Sequence, residues 1–498
     1  MLASLASAQP DGGSEWPHYG NDAGGARYSP AAQIDRTNVA QLQVAWTCRA
    51  LDPRTGARLW EYDAALDRSH GYSEVTSRGV AAWRDTAASP GAPCRTRILM
   101  GTLDARLVAL DADTGAPCAG FGASGQVDLT RGVDLRDLGN YQMTSALAVS
   151  GDVVVVGSSI GDNRAVDVER GIVRGFDART GALRWTWDPI PWASRTTPRT
   201  GAGNAWSTLS VDAERGLVFV PTGSASPDYW GGTRKGDNRW ANSVVALRAA
   251  TGLLVWGFQV VHHDLWDYDV ASQPTLFSWR DGTPAIAITT KMGRVFVLDR
   301  VTGAPLLFVN TNRLAMTVRL IPHERLALEA TQGTPEERLR AELALQAGTP
   351  YAMRRAPLLS PRGTPCNPPP WGTLVAVDLF SGRTAWDVPL GSVVSGDFKR
   401  LLVRLFRPAL LDSGSPNFGG PIATAGGLVF TAASMDNHLR AFDSDTGREL
   451  WKYELPAGGQ ATPMTYRVDG RQYLVIAAGG HGKLGTKLGD YVVAFALP

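Results

Sequence analysis

The sequence predicts an all-β protein, a β-propeller assembled from repeated small sheets, and three observations carry that prediction. One motif recurs through the 498 residues: ALDPRTGARLW from Ala50, ALDADTGAPCAGF from Ala109, GFDARTGALRW from Gly175, ALRAATGLLVW from Ala246, VLDRVTGAPLL from Val297, AVDLFSGRTAW from Ala376 and AFDSDTGRELW from Ala441. Glycine (55), proline (31) and tryptophan (16) are plentiful while long helix-period stretches are scarce, the balance of many short strands joined by tight turns. The copies recur about every 50 to 80 residues, room for one four-stranded sheet plus loops, and sheets repeated at that spacing commonly close radially.

Each copy reads alike. An apolar strand end leads to an Asp that can cap the turn by bonding nearby backbone amides, a Thr-Gly or Ser-Gly supplies the positive-φ residue, and a Trp usually follows on the returning strand. The product is a hairpin with a side-chain lock, whose tryptophans are expected to bury their rings between neighbouring sheets. One segment breaks the pattern. In TPEERLRAELALQ, Thr334 stands as N-cap, Pro335 at the first helical position and Glu337 three residues after the cap, so a short surface helix is predicted near 334–346 as an insertion. Residues 15–498 then read as a single propeller domain. Residues 1–14 read as the remnant of a signal peptide, with an A-x-A site at Ala6 to Ala8 but no basic n-region, or as a disordered N-terminus.

Composition narrows the function. Lys+Arg (49) and Asp+Glu (47) nearly cancel and no basic stripe interleaves with aromatics, so the expected partner is a small molecule and not a nucleic acid. No apolar run reaches the ~18 residues a bilayer span requires. The four cysteines, Cys48, Cys94, Cys118 and Cys366, form neither C-x-x-C nor C-x-x-C-H, so no thiolate zinc site or attached c-type haem is encoded. Cys94 and Cys118 bracket an apparent hairpin, RILMGTLDARLVAL, and are a candidate pair in an oxidising compartment.

Four longer stretches carry a family resemblance over nearly the whole chain. EWPHYGNDAGGARYSPAAQI near the start, HHDLWDYD from His262, KMGRVFVLDR from Lys291 and the C-terminal LPAGGQATPMTYRVDGRQYLVIAAGGHGKLGTKLGDYVVAFALP resemble the dehydrogenases that depend on pyrroloquinoline quinone (PQQ). The match is nearest to their glucose and quinate dehydrogenase branch. The resemblance implies an eight-bladed propeller with the cofactor on its axis, and oxidation of a sugar or polyol by hydride transfer to the quinone. It also implies an acceptor such as ubiquinone and a periplasmic location, with association to the membrane left open.

Residue by residue, the resemblance assigns the catalytic base to Asp267, a carboxylate that a nearby divalent cation can keep ionised. Arg78, Thr144, Ser159, Trp206 and Lys291 fall at cofactor-binding positions: Arg78 on a cofactor carboxylate, Trp206 as the stacking surface and Lys291 at the quinone oxygens. Asp162, Asn163 and an oxygen near Ser226 fall at the cation, for which calcium or magnesium suits the oxygen ligands. Asp436, Asn437 and His481 correspond to the substrate end, although Asp436 and Asn437 read equally well as a turn before a strand. His262 and His263 lack a third ligand at metal spacing and read as loop-packing residues.

Two departures qualify the resemblance. After QVAWTC the chain runs almost directly into RALDPRTG, without the first outer strands of a blade. After VLDRVTGAPLLFVNTN it passes to RLAMTVRLIP without the family's asparagine-containing and tryptophan-glycine-glycine stretches that close the cofactor pocket. One or two incomplete blades are therefore expected. The membrane helices of the family's anchored members are absent as well, so another acceptor or a partner subunit is expected. The alternative is a non-catalytic propeller that holds other proteins, as the outer-membrane assembly lipoproteins with similar repeats do. The discriminator is the axial set Arg78, Asp162, Trp206, Asp267 and Lys291, which a scaffold has no reason to keep.

Overall fold

A computed structural model describes the chain except residues 1–15, 17, 48–54, 56, 68, 192–199, 280–281, 311–314, 335–336, 339–340, 361–364, 379–382 and 393–412. The reading of residues 1–14 and most of the first repeat lie outside the described residues. Sheets follow one another along the chain, as the repeats predict. Four consecutive antiparallel sheets have four strands each, beginning at Ala81–Arg84, Ala148–Ser150, Ser210–Asp212 and Thr275–Ser278. These four opening strands pack successively against one another, which arranges the sheets radially with their first strands innermost. The middle strands are sandwiched between neighbouring sheets. Val153–Val156 and Leu217–Pro221 are accordingly buried at every position and apolar on both faces, without the alternation of a half-exposed strand.

The N-terminal segment ties the two ends of the chain together. Gln43–Thr47 pairs with Tyr491–Ala496 and completes the last sheet, while Tyr28–Ser29 adds in parallel to Ile422–Thr424 of the sheet before it. Between Thr373–Asp378 and Arg383–Pro389 the described residues give a two-stranded sheet only.

The hairpin locks form as the repeats predict. Asp111, Asp177, Asp299 and Asp443 each accept, through one oxygen, the amides two and three residues on and the hydroxyl of the following Thr. In four of the copies the tryptophan then crosses to the next sheet. Trp60, Trp185, Trp256 and Trp386 donate Nε1 to the carbonyls of Ala112, Ala249, Arg300 and Ser444 at 3.0, 2.9, 3.1 and 3.0 Å. The turn glycine is required twice over at Gly252 (φ +71°), because a Cβ there would lie 2.5 Å from the Trp185 ring. The motif therefore specifies both a turn and its contact with the preceding sheet.

Between the fourth sheet and the two-stranded one lies an inserted three-stranded sheet of Met316–Pro322, Tyr351–Pro357 and Glu342–Ala344. The predicted capping box is made, with Glu337 N bonded to Thr334 Oγ1 and Thr334 N to Glu337 Oε2, and helical bonds run from Arg338 N to Thr334 O and from Ala341 N to Glu337 O. The helical turn is shorter than expected: the chain enters a strand at Glu342, where pairing with Tyr351–Pro357 wins over helical periodicity. A second short helix, Leu326–Thr331, was not anticipated; it buries Glu329 against Arg319 and Arg354. Cys94 and Cys118 are joined in a disulfide, and among the described residues no helix is long and apolar enough to cross a membrane.

Candidate active site

The segments that lead into the innermost strands converge on one cavity of about 2220 Å³. Arg78, Thr144 and Trp206 precede the first three of those strands, Asp267 and Asp269 precede the fourth, and Lys291 sits in the turn after Pro284–Thr289. Nine of the twelve candidate residues line it: Arg78, Thr144, Ser159, Asp162, Asn163, Trp206, Asp267, Lys291 and His481.

The loop His262 to Asp269 owes its shape to an aspartate that carries no predicted role. Asp264 accepts the amides of Trp266 and Tyr268 at 3.1 and 2.8 Å, and its Oδ2 also takes Ser224 Oγ at 2.7 Å and Asn242 Nδ2 at 3.1 Å. That cap turns the chain so that Asp267, at φ +59°, faces the cavity. His263 bonds through Nδ1 to Gly236 O at 2.8 Å and His262 lies 3.6 Å from Asp237, packing roles in keeping with their reading as loop residues.

Lys291 organises the floor of the cavity. Its Nζ donates to Asp267 Oδ1 and to Asp269 Oδ2, both at 2.6 Å, and lies 5.4 Å from the centre of the Trp206 ring. Burial alone would lower its pKa, but the two carboxylates outweigh that and raise it. Asp267 experiences the converse: burial pushes its carboxyl up, and Lys291 with Arg355 more than reverses this, leaving it below the ordinary carboxylate value. Asp267 is thus an ionised carboxylate at the cavity floor, the state a base requires.

Trp206 is fixed at both ends. Its Nε1 donates to Asp269 Oδ2 at 3.0 Å, and its carbonyl accepts from Arg78 Nη1 at 3.3 Å and Thr144 Oγ1 at 3.2 Å. The Arg78 guanidinium lies 4.7 Å from the ring centre. A large flat ring with two cations beside it suits a planar, polyanionic group, and PQQ is one.

The same region holds more carboxyl groups than it provides partners for. Asp162 faces the cavity and accepts no hydrogen bond from another described residue, and burial together with Asp269 and Asp267 pushes its carboxyl well up. Asp228 is fully buried with both oxygens unpartnered among the described residues, and burial, followed by the charge of Asp162, raises it too. Burial pushes Asp269 up to about 6 even with Lys291 bonded to it. Buried carboxylates without partners are costly unless a proton or cation joins them. Asp162 and Asp228 therefore have room for a proton or a cation, although among the described residues no three His, Cys, Asp or Glu side chains stand together as a metal-binding group.

Three candidates lie outside the lining. Asp436 is buried in an ion pair with Arg440 at 2.5 Å and accepts Ser434 Oγ at 2.7 Å, so its carboxylate serves the sheet interior. Asn437, at φ +59°, makes the turn into His438–Asp443, the turn reading its sequence left open. Ser226 is fully buried and its hydroxyl is committed to the Ala165 carbonyl. His481 lines the cavity edge-on to Phe418, with ring centres 5.1 Å apart.

Sequence reading missed Asp228, Asp264, Asp269, Glu342 and Arg355. Asp269 was within reach, since a second carboxylate two residues from a proposed base is a local signal. Asp264, which caps amides two and four residues on, was equally local, whereas Asp228, Glu342 and Arg355 become visible only once distant segments meet.

Comparison with known proteins agrees with this geometry. The family described as "PQQ: Glucose/ethanol/alcohol dehydrogenase, beta-propeller domain" matches residues 16–50, 48–307 and 306–474, breaking at the two junctions where stretches were expected to be missing. The chain is 33% identical to quinoprotein glucose dehydrogenase A of Acinetobacter calcoaceticus over 97% of its own length and 79% of that protein's. It is 32% identical to the quinate/shikimate dehydrogenase (quinone) of Acinetobacter baylyi over 97% and 78%, and 31% identical to the glycerol dehydrogenase large subunit of Gluconobacter thailandicus over 100% and 87%. The first alignment runs over 640 positions against the 498 residues here, so that relative carries internal stretches this chain lacks. Among solved structures, the quinohemoprotein alcohol dehydrogenase of Comamonas testosteroni shares the fold, with a TM-score of 0.71 at 24% identity over 97% of this chain and 80% of that one. The chain therefore belongs to the PQQ-dependent glucose/ethanol/alcohol dehydrogenase family of β-propellers.

Proposed function

We propose that this chain is a PQQ- and cation-dependent dehydrogenase that oxidises a hydroxyl of a sugar or polyol, with Asp267 as the base. The observation that carries the reading is the pair of 2.6 Å contacts by which Lys291 holds Asp267 and Asp269 beside Trp206. PQQ, when bound, would supply the acceptor for the hydride of the substrate carbon, which carries both electrons of the oxidation. The residues of the chain do the remainder. Asp267 takes the hydroxyl proton at Oδ1 or Oδ2, Trp206 offers the stacking surface, Arg78 holds a cofactor carboxylate, and Thr144 and Ser159 add polar contacts. Lys291 supplies fixed positive charge where negative charge develops, which costs no reorganisation during reaction. Asp162 and Asn163 would hold calcium or magnesium, with Asp228 close by. His481 faces the substrate end.

The relatives' names, glucose, quinate and glycerol dehydrogenases, set the substrate range to screen. The acceptor is a membrane quinone such as ubiquinone or a partner that reaches one. The Cys94–Cys118 disulfide supports an oxidising, periplasmic setting.

The deciding experiment titrates metal-stripped protein with PQQ, with and without calcium, following tryptophan fluorescence. Saturable quenching that needs calcium and weakens in Asp162→Ala is expected. Asp267→Asn should retain binding and lose dye-linked turnover by roughly 100-fold or more. Absence of binding in folded protein would leave the scaffold reading instead, and wild-type turnover in Asp267→Asn would remove the assignment of the base.

A further inference from the structure

The inserted sheet sends two charged side chains to the cavity. Arg355, on Tyr351–Pro357, donates Nη1 to Asp267 Oδ2 at 2.7 Å. Its Nε and Nη2 donate to Glu342 Oε2, at 3.1 and 2.5 Å, from the residue directly opposite it in the ladder. The other oxygen of Glu342 accepts Asn163 Nδ2 at 2.9 Å. An unbroken chain of charge-assisted bonds therefore runs from Asn163 through Glu342 and Arg355 to Asp267.

We propose that Glu342 and Arg355 are positioning residues, a clamp by which the inserted sheet fixes the base at Asp267 and the cation loop at Asn163 relative to one another. The inference rests on the proposed function in taking Asp267 as the base. Asp264 fixes the loop backbone but does not touch the Asp267 carboxylate, whose plane is set by Lys291 on Oδ1 and Arg355 on Oδ2. The two donors come from different sheets, so neither alone determines that plane. Arginine suits the task because its rigid planar fork engages Glu342 on one edge while Nη1 remains aimed at Asp267. Tyr229 reinforces the arrangement: its hydroxyl donates to the same Oδ2 at 3.3 Å, and the guanidinium lies 5.5 Å from its ring centre.

The test uses the full chain loaded with PQQ and calcium, with D-glucose, quinate and glycerol as substrates. Arg355→Ala should lower kcat about 100-fold, the scale of an ångström misplacement of a reacting group, with KM and PQQ affinity changed by less than about threefold. Added guanidinium should restore part of kcat and Arg355→Lys should recover part, responses a merely structural role would not give. Glu342→Gln should require about tenfold more calcium for half-maximal PQQ quenching, because glutamine has one acceptor oxygen where glutamate has two and cannot hold Asn163 and Arg355 together. The clamp is overturned if Arg355→Ala turns over within about threefold of wild type, or if its PQQ binding collapses along with kcat and guanidinium restores neither. A wild type that binds PQQ but oxidises no substrate defeats the proposed function alone, and an unchanged calcium midpoint in Glu342→Gln then sinks the clamp. A wild type that does not bind PQQ overturns both.

Discussion

Trp185 and Trp386 close copies of the same motif and make the same bond to the next sheet, at 2.9 and 3.0 Å, yet they stand in different surroundings. Trp185 is buried within a continuous core of the second and third sheets, beside Val155, Val173, Leu209 and Val245. Trp386 belongs to the sheet beyond the inserted segment; its ring is half-buried and borders the cavity, and among the described residues Leu374, Leu390 and Phe442 form the buried cluster beside it. The motif builds the lock in both places. How much the lock contributes depends on how much packed core stands behind it.

Trp185→Ala should cost about 3–5 kcal/mol, because it opens a cavity in a packed core as well as removing a bond. Urea unfolding would measure this, and a loss under about 1 kcal/mol would mean that the packed half is no more dependent on its locks than the interrupted one. Removing the Cys94–Cys118 disulfide, which closes 24 residues of the first sheet, should cost about 3 kcal/mol and be read in the same transition. Trp386→Ala should cost less, about 1–2 kcal/mol, since its ring gives up less buried area along with one hydrogen bond. Equal losses for Trp185 and Trp386 would erase the distinction.

The smallest effect is a dependence on pH at the boundary between the regions. Burial lifts Asp269 to about 6 in the folded protein from an ordinary 3.8. Between these values the native state keeps a proton that the unfolded chain has released, so this group's contribution to stability falls as pH rises from about 4 to about 6 and is flat above. The stability difference between metal-free wild type and Asp269→Asn should shrink across that window, and a difference that grows would reverse the sign assigned to this carboxylate.

Much of the fold was legible because its signals are local. An Asp that caps its own turn, a glycine at positive φ and a tryptophan one strand later act within a few residues of one another, and repetition multiplied the signal. The site was partly legible through resemblance: Arg78, Trp206, Asp267 and Lys291 meet at one cavity, as that resemblance implied. Asp436 was not, since nothing within its neighbourhood in sequence says whether an aspartate before a strand faces a cavity or Arg440. The helix near 334–346 was misjudged at its end because pairing with Tyr351–Pro357, a partner later in the chain, overrode the local pattern.

By itself, then, the sequence determined the repeating hairpin, its turn chemistry and the family to which the chain belongs. Tertiary structure alone decided which of the aspartates are partnered, which are left as unpartnered carboxyls beside the cavity, and that Arg355 reaches Asp267 across 88 residues of chain. The reason is physical: turn propensity is a property of neighbouring residues, whereas the protonation and orientation of a buried carboxylate depend on charges that only folding brings within a few ångströms.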